Sequence, residues 1–334
     1  MKFSIIVPTY NSEKWIQQCV NSILAQSYVD FDLLILDSGS TDGTLPWIRY
    51  IEDNRITIYT TLKRLGIEDN WGRILTVPRN EYMTILGHDD VLYPSFLETI
   101  NQLIIANPGA SLYHTHFDLI SATGKVIRPS KPMQQRYTGD ELLRAILTQS
   151  IDATATGYVI RTRDYDHLKG IPLGYPNLMF ADYELWLRTA YLSYEVVAAA
   201  YCCAFRVHQS TTNTTPDKKL HTALERFVDF LAGLKQVNES SANIINEYGA
   251  AFLLANGTSY AHRLLRTPLK ERGATTVDGF IQQTKKMAAI LGVEQQYKPE
   301  ASLSIKLTAM IDNNTILRKL FLLFKKLYTR PIVK

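Results

Sequence analysis

The sequence predicts an α/β protein in which a mostly parallel, Rossmann-like sheet carries helices on both faces and a helical region follows at the C-terminus. Three observations support this fold class. Short apolar runs alternate with segments of helical periodicity over the first hundred residues, as in successive βα units. Polar clusters follow the predicted strands at their carboxyl ends. Beyond residue 216, helical periodicity dominates.

The first elements form two βα units and a third strand. Apolar, β-rich runs at residues 3–7, 32–36 and 56–60 predict strands. A helix is expected from Ser12 and another over residues 44–52. In the first helix, apolar residues recur at three-and-four spacing: Ile16, Cys19, Val20, Ile23 and Leu24.

A further buried strand is predicted at residues 82–86, with a helix over residues 95–106 behind it. Polar clusters at residues 8–11, 37–42 and 87–90 each follow a strand end. In open α/β sheets, ligands bind beyond the carboxyl ends of the strands. We therefore expect the three clusters to line one crevice.

The remaining α/β region is predicted to contain a turn at residues 122–124 and helices at residues 139–149 and 182–192. Strands are predicted at residues 158–161 and 195–205. The run at residues 208–216 is rich in Thr and Asn and predicts a loop or linker. We place the α/β domain in residues 1–212 and the helical region in residues 213–334.

Composition excludes several classes of protein. The 334 residues are 46% hydrophobic and 20% charged, which suits one large domain or a main domain with a smaller one. A net charge of +4 is too small for a nucleic-acid binder unless the charge is concentrated in one region. The sequence contains no run of about 18 apolar residues, so no membrane-spanning helix is predicted. Cys19, Cys202 and Cys203 lack the spacing of a zinc site or disulfide framework, which favours a reducing compartment.

Asp89 and Asp90 form the sharpest chemical signal in the first hundred residues. Adjacent carboxylates repel each other and are costly to desolvate, so a crevice that holds both commonly neutralises them with Mg²⁺ or Mn²⁺. Such an ion bridges to diphosphate oxygens. The alternative for an isolated pair is that one Asp caps the following helix or stabilises a turn.

Three motifs in order resemble glycosyltransferase family 2: Val-Pro-Thr-Tyr-Asn at 7–11, Asp-Ser-Gly-Ser-Thr-Asp-Gly-Thr at 37–44 and Gly-His-Asp-Asp-Val-Leu-Tyr-Pro at 87–94. The resemblance covers roughly residues 3–210. It implies a GT-A fold, an inverting mechanism, a nucleoside-diphosphate sugar donor and a divalent cation, Mg²⁺ or Mn²⁺. It also places the donor-binding residues, which are Pro8, Thr9, Tyr10, Asn11, Asp37, Ser38, Ser40 and Asp89.

Within this resemblance Asp89 faces the ribose and sugar, and Asp90 holds the metal. Ser38 stands where some members have a second Asp that contacts uracil. This departure weakens the case for uridine and leaves thymidine or guanosine open. Arg73 follows an Asn-Trp pair and is a candidate for a phosphate contact, because its planar fork suits phosphate oxygens. The alternative for Arg73 is a solvent-exposed arginine on a helix face.

The segment Phe-Ala-Asp-Tyr-Glu at 180–184 resembles the family's acidic segment, which makes Asp182 the candidate catalytic base. An inverting transfer needs such a base, because the attacking hydroxyl must lose its proton. The alternative role of Asp182 is a helix N-cap, and Glu184 is a weaker candidate on another side of the helix.

His208 lies in a segment that resembles the family's Arg-x-His loop and is a candidate for a metal ligand or a diphosphate contact. The alternative is an exposed loop histidine.

The C-terminal segment 316–334 combines leucines and phenylalanines with six basic residues and no acidic residue. Six exceeds the net charge of the whole chain, +4, so the basic character is local. A basic amphipathic helix suits an anionic leaflet, which predicts peripheral contact with the inner face of the plasma membrane of a cytoplasmic protein. The alternative is a helix that packs on its own domain or in a homodimer.

The function predicted from these observations is inverting, metal-dependent transfer of a sugar from a nucleoside-diphosphate donor to a hydroxyl of a glycan acceptor. A lipid-linked acceptor in bacterial surface polysaccharide assembly is expected from the family. Two alternatives are a non-catalytic nucleotide-sugar or glycan-binding module and a nucleotidyltransferase. The retained carboxylates argue against the first, and residues 7–11 lack the Gly-rich basic loop expected of the second.

Overall fold

The computed structural model describes residues 1–208, 217–269, 271–272 and 275–327. The chain divides into two compact units. The first contains residues 1–142 and 150–210, and the second contains residues 143–149 and 211–334. The boundary that we placed after residue 212 lies outside the described residues.

The first unit is mixed α/β. Its strands are β1 Phe3–Thr9, β2 Phe31–Asp37, β3 Ile56–Tyr59, β4 Tyr82–Ile85, β5 Val91–Leu92, β6 Leu112–Ser121, β7 Val126–Pro129, β8 Arg136–Tyr137, β9 Tyr158–Arg161 and β10 Glu195–Val207. Its helices are α1 Ile16–Leu24, α2 Thr44–Arg49, α3 Ile67–Gly72, α4 Phe96–Ala106, α6 Thr162–His167 and α7 Ala181–Leu192, and α5 Gly139–Leu147 crosses the unit boundary.

The strands form one sheet in the order β3-β2-β1-β4-β9-β6-β10-β5, with β7 beside β6 and β8 beside β10. β1, β2, β3 and β4 are mutually parallel, and β10 is parallel to β6. β9 runs antiparallel to both of its neighbours, so β6 and β10 point in the same direction as β4. The expectation of a mostly parallel α/β sheet is confirmed.

Helix α1 shows why the apolar pattern produces this packing. Ile16, Cys19, Val20 and Ile23 recur at helical spacing and are all buried. They join a core cluster with residues from β1 and β2, including Phe3, Ile5, Val7, Leu33 and Ile35. The predicted helical face is therefore the face that covers the sheet. The helix begins at Ile16 rather than at Ser12, because residues 13–15 form a turn.

The shared direction of the strands brings several chain segments to one edge of the sheet. The carboxyl ends of β1, β2, β3, β4 and β10 lie there, and the antiparallel β9 begins there. The loops after β2 and β3 pack tightly. Gly39 has φ of +69°, and a Cβ on it would lie 3.1 Å from the backbone of Thr61 and Lys63. Glycine at this position thus allows the two loops to touch.

The second unit is helical among its described residues. Beyond the segment 143–149 it contains α8 Asp217–Val237, α9 Glu239–Arg266, α10 Val277–Leu291, α11 Leu303–Asn313 and α12 Thr315–Leu327. Side-chain caps begin several helices; Asn238 accepts a hydrogen bond from the Ser241 N–H at 3.0 Å. In the described part of the chain, no helix has both the length and the apolar character needed to cross a membrane.

Candidate active site

The turn after β2 is built around the buried carboxylate of Asp37. Its oxygens accept hydrogen bonds from the N–H groups of Gly39 at 2.9 Å and Ser40 at 3.1 Å, and from the Thr60 hydroxyl at 2.8 Å. Asp37 therefore fixes the shape of its own loop and ties it to the end of β3. Thr60 was not identified from the sequence, because nothing local connects it to residue 37.

The first and second motifs lie against each other. The Asn11 N–H donates to the Ser40 hydroxyl at 2.8 Å, and the Asn11 side-chain oxygen accepts from the Thr41 N–H at 2.8 Å. The Ser38 hydroxyl bonds the backbone N–H and carbonyl of Leu65, at 2.7 and 3.1 Å. The motifs at 7–11 and 37–44 thus form one hydrogen-bonded rim of the crevice.

Two other residues of the donor motif occupy the same rim. Thr9 is buried, and its hydroxyl lies 2.5 Å from that of Ser12. Tyr10 is half-buried, and the guanidinium of Arg64 stacks over its ring at 4.5 Å from the centroid. The carbonyl of the buried Pro8 faces the His88 ring nitrogen Nδ1 at 3.4 Å. These contacts connect the first motif to the third.

Arg73 is turned inward toward the strand ends. Its guanidinium donates to the carbonyls of Asp37 at 2.9 Å and Tyr59 at 2.8 Å, and to the Asn70 side chain at 2.8 Å. Asn70 is buried and donates to the Leu36 carbonyl at 2.9 Å. These contacts show that Arg73 holds the ends of β2 and β3 together and is not a solvent-exposed arginine, while its contact with a phosphate stays a prediction.

Asp90 is buried, and both of its carboxylate oxygens have protein partners. One accepts from the Thr156 hydroxyl, and the other accepts from the Arg206 backbone N–H at 2.8 Å. Burial, together with the neighbouring Asp89 charge, raises the pKa of Asp90 well above its usual value. These contacts favour a positioning role for Asp90, and its assignment as the main metal ligand stays a prediction.

Asp89 instead points toward His208. The carboxylate oxygen Oδ2 lies 2.6 Å from the His208 ring nitrogen Nε2, and both side chains remain partly exposed. Burial alone would raise the pKa of Asp89, but the His208 hydrogen bond and the nearby charges of His88 and His208 lower it. The structure thus joins two candidates from the sequence that lie 119 residues apart.

Arg206 organises this part of the site from below. It is buried, and its guanidinium donates to the carbonyls of Asp89 at 2.7 Å and Ser121 at 3.0 Å and to the Gln18 side chain at 2.7 Å. The same guanidinium lies 4.6 Å from the centroid of Trp15. The Trp15 ring in turn lies 5.3 Å from the ring of His208. Sequence reasoning missed Trp15 and Gln18, because helical periodicity does not show what an exposed face contacts.

Asp182 lies in apolar surroundings at the start of α7. It lines a small cavity with Trp71, Tyr158, Trp186 and Ile85, the last residue of β4. Its carboxylate accepts a hydrogen bond from the Tyr183 N–H at 2.9 Å. Burial raises the pKa of Asp182 to about 6. A carboxyl group with this pKa is largely ionised at neutral pH and still basic enough to take a proton.

Glu184 has partners that leave it less suited to proton transfer. Its carboxylate accepts from the Tyr175 hydroxyl at 2.5 Å and lies 3.6 Å from the Arg188 guanidinium. The segment before α7 includes three left-handed residues other than glycine: Asn177 with φ of +54°, Leu178 with φ of +55° and Phe180 with φ of +68°. The Glu68 carboxylate accepts from the Asn177 N–H at 2.7 Å, so this segment is anchored to α3.

The segment before β9 connects the two carboxylate environments. Ala155 lines the cavity of Asp182, while the adjacent Thr156 bonds Asp90. Within the described residues, no group of three or more His, Cys, Asp or Glu side chains is arranged to hold a metal ion. Asp89 and His208 offer one carboxylate oxygen and one imidazole nitrogen, and this pair suits Mn²⁺ or Mg²⁺ when a diphosphate supplies further oxygens.

Comparison with known proteins identifies the family that this sequence resembles. Residues 4–168 match the sequence profile of "Glycosyl transferase family 2". The Escherichia coli protein "UDP-Glc:alpha-D-GlcNAc-diphosphoundecaprenol beta-1,3-glucosyltransferase WfgD" is 26% identical over 239 residues, which cover 68% of this chain and 86% of that protein. Glycosyltransferase GlyG of Streptococcus pneumoniae is 31% identical over 103 residues, which cover 30% of this chain and 34% of that protein.

Two solved structures share the fold at low sequence identity. S. aureus TarS 1-349 in complex with UDP-GlcNAc has a TM-score of 0.62 and 16% identity, and the match covers 93% of this chain and 91% of that one. Mannosyltransferase PcManGT from Pyrobaculum calidifontis, in complex with GDP-Man and Mn²⁺, has a TM-score of 0.55 and 16% identity over 93% and 87% of the chains. The matched profile, the ordered motifs and the GT-A fold of the first unit together show that this chain is a glycosyltransferase and that its residues 4–168 form a domain of glycosyltransferase family 2.

Proposed function

We propose that this glycosyltransferase moves one sugar from a nucleoside-diphosphate donor to a hydroxyl of a lipid-linked glycan, with inversion and with the help of Mg²⁺ or Mn²⁺. The observation that carries the proposal is the 2.6 Å contact between Asp89 and His208. It brings a carboxylate and an imidazole together where the carboxyl ends of the strands meet. A nucleoside-diphosphate sugar is the ligand class that this edge of the fold suits.

In this proposal Asp89 and His208 would hold the metal, and a divalent cation bound there would supply positive charge for the diphosphate leaving group. Asp90 positions the pair, because its buried carboxylate accepts from the backbone of Arg206, two residues before His208. The Arg206 guanidinium also positions Asp89, because it donates to the backbone carbonyl of Asp89. These buried bonds hold both proposed ligands in place before a donor arrives.

Asp182 is the proposed catalytic base. The acceptor hydroxyl attacks the anomeric carbon as its proton passes to the Asp182 carboxylate, and the bond to the diphosphate breaks on the opposite side. A single displacement of this kind inverts the anomeric configuration. The apolar cavity beside Asp182 raises its pKa and thereby its proton affinity, which makes it a better base at neutral pH than an exposed Asp.

Donor recognition is assigned to the rim formed by residues 8–11 and 37–42. Ser38 bonds the backbone of Leu65, so in this structure its hydroxyl serves the loop. The names of the relatives include UDP-Glc and a diphosphoundecaprenol acceptor for WfgD and UDP-GlcNAc for TarS. These names support a UDP-sugar donor and a lipid-diphosphate acceptor here. Because PcManGT is in complex with GDP-Man, a GDP-sugar is the second candidate donor.

A lipid-linked acceptor requires that the enzyme work at a membrane surface. We therefore propose a cytoplasmic protein that is peripheral on the inner face of the plasma membrane, with contact through residues 316–334. Of this segment, residues 328–334 lie outside the described residues. The predicted homodimer stays a prediction.

Thermal denaturation of the full chain with a panel of UDP-, dTDP- and GDP-sugars tests the donor and the metal together. A ligand that binds the folded state raises Tm, by an amount corresponding to about 2.7 kcal/mol at a hundred times its Kd. We expect one donor class to raise Tm with Mn²⁺ and to lose most of the effect in EDTA. Transfer from that donor to a GlcNAc-diphospholipid analogue should then be measured. Stabilisation that is equal in Mn²⁺ and EDTA, or the absence of any donor that stabilises the chain, would overturn the proposal.

A further inference from the structure

Helix α12 presents an apolar stripe to solvent. Ile316, Leu320, Leu323 and Leu327 follow one another at helical spacing and are between 55% and 71% exposed. Phe324, one turn after Leu320, is 55% exposed and widens the stripe. Five large apolar side chains on one face of a 13-residue helix are therefore in contact with water.

The opposite face of α12 is polar at its centre and packed inward. Arg318 is buried and donates to the Thr267 carbonyl at 2.6 Å. The neighbouring Arg272 is paired with the buried carboxylate of Asp312, which also accepts from the Val277 N–H at 2.9 Å. Amphipathic helices of globular proteins bury the apolar stripe, so this helix has the reverse orientation. The alternative that the stripe packs on its own domain is not what the structure shows.

Helix α11 repeats the pattern on a smaller scale. Leu303, Leu307 and Met310 fall on one face and are each more than half exposed, while Ile305 and Thr308 on the other face are buried. The two helices are joined at Asn314, whose side chain accepts from the N–H groups at the start of α12. Two successive helices thus each expose an apolar face.

The charge on these helices has one sign. In their sequences Asp312 is the only acidic residue, and its side chain is enclosed by the ion pair with Arg272. Lys306, Lys319 and Lys325 are exposed. Lys319 lies three residues after Ile316 and four before Leu323, so helical geometry places it at the border of the α12 stripe. Lysines in this position extend toward lipid head groups while the apolar face enters the acyl boundary.

We propose that α11 and α12 form the docking surface of this protein for an anionic lipid leaflet, with the α12 stripe as the main inserted element. A second copy of the chain is a poorer occupant, because a two-fold contact would place the same lysine-bearing patch against itself. This inference rests on the membrane contact through residues 316–334 that is part of the proposed function, and it names the inserted face. It does not depend on the proposed transfer reaction, since lipid binding requires neither the donor nor the metal.

Vesicle flotation of the full chain tests the proposal without any activity measurement. We expect binding to vesicles of phosphatidylglycerol and phosphatidylcholine, weaker binding at high salt, and little binding to phosphatidylcholine alone. The double variant Leu320→Asp/Leu323→Asp should lose binding by more than tenfold. The variant Lys319→Gln should lose roughly fivefold, on anionic vesicles only.

Ile290→Asp is the matched control, because Ile290 is an exposed aliphatic residue, 52% exposed, on another helix of the same unit. It should bind like the unchanged chain. Far-ultraviolet circular dichroism and light scattering establish the fold and the oligomeric state of each variant. Vesicle binding that Leu320→Asp/Leu323→Asp leaves intact would overturn the proposal. The proposal would also be overturned if the unchanged chain formed a dimer that did not bind vesicles and Leu320→Asp/Leu323→Asp dissociated that dimer. Failure of donor binding or transfer with intact lipid binding would instead count only against the proposed reaction.

Discussion

Asp89 and Asp182 are two carboxylates beyond the end of the same strand, β4, in opposite surroundings. Asp89 follows that strand by four residues, and Asp182 shares a cavity with its last residue, Ile85. Around Asp89 the neighbours are cationic or polar, including His208 and Arg206. Around Asp182 they are mainly aromatic and aliphatic. The pKa of Asp89 is lowered, whereas that of Asp182 is raised to about 6.

This contrast shows how one edge of a sheet can provide two kinds of acid. A carboxylate that is to remain ionised beside a cation needs partners that stabilise its charge. A carboxylate that is to take a proton needs surroundings that disfavour the charge. Asp90 shows a third case, in which the carboxylate is buried and fully bonded to the protein. Its neighbours therefore suit a positioning role. The predictions below test this division of roles.

The largest effect is expected for Asp89→Asn. Loss of the ionised oxygen beside His208 should reduce transfer on the order of 10³-fold, comparable to removal of a main electrostatic stabiliser. It should also abolish the rise in Tm that Mn²⁺ produces with donor present.

The control is Asp166→Asn, because Asp166 pairs with Arg79 on a part-exposed surface and such pairs contribute little. It should remain active and metal-responsive. An Asp89→Asn protein that still responds fully to Mn²⁺ would show that the metal lies elsewhere.

Asp182→Asn should reduce kcat by roughly 10²- to 10⁴-fold, the range for loss of a positioned general base. Donor affinity should be retained, because the cavity beside Asp182 is separate from the rim at residues 37–42. Single-turnover kinetics with donor titration separates the two quantities. Glu184→Gln is the comparison variant, since the amide oxygen of the new side chain can still accept from the Tyr175 hydroxyl. If Asp182→Asn weakened donor binding and left the rate of bound substrate unchanged, Asp182 would be a binding residue.

The pH dependence of kcat should follow Asp182. A general base acts in its ionised form, so activity is retained above its pKa and falls about tenfold per pH unit below it. With the pKa of Asp182 raised to about 6 by burial, the decline should begin near pH 6 rather than near 4. Tyr158 faces the same cavity and carries no charge in this range, because burial raises its own pKa. A profile that stays flat down to pH 5 would contradict the assignment.

The smallest effect on activity is expected for Thr156→Val. Removal of the hydroxyl leaves one buried oxygen of Asp90 without a partner, which costs about 1–3 kcal/mol of stability. Transfer should fall less than in Asp89→Asn, because the Arg206 N–H still holds the other oxygen. Urea denaturation at neutral pH measures the loss, and Thr156→Ser should restore it because serine keeps the hydroxyl. Equal stability of the valine and serine variants would show that the Thr156 hydroxyl does not stabilise the buried carboxylate of Asp90.

Much of the fold was predictable because apolar periodicity reports burial directly. The strands β1, β2, β3, β4 and β10 begin within a residue of the predicted positions and end within two. The direction of β9 was not predictable, since a four-residue apolar run reads alike in a parallel and an antiparallel strand. The short β5 was also missed, because two residues carry no periodicity.

The site was predictable as a set of residues rather than as an arrangement. The sequence by itself determined that carboxylates and polar loops follow the strand ends, because strand alternation and turn residues are local properties. Only the tertiary structure decided which carboxylate of the pair at 89–90 faces outward, since the partners of Asp90 are 66 and 116 residues away. It likewise turned Arg73 toward the carbonyls at the ends of β2 and β3.

The last helix follows the same rule. The spacing of Ile316, Leu320, Leu323 and Leu327 determined that α12 is amphipathic, since an α-helix repeats every 3.6 residues or so. Whether that stripe faces the protein or the solvent depends on contacts made by the other side of the helix. The bond from Arg318 to the Thr267 carbonyl and the packing of Phe321 orient it outward. Periodicity fixes which residues share a face, but only long-range contacts fix the direction in which that face points.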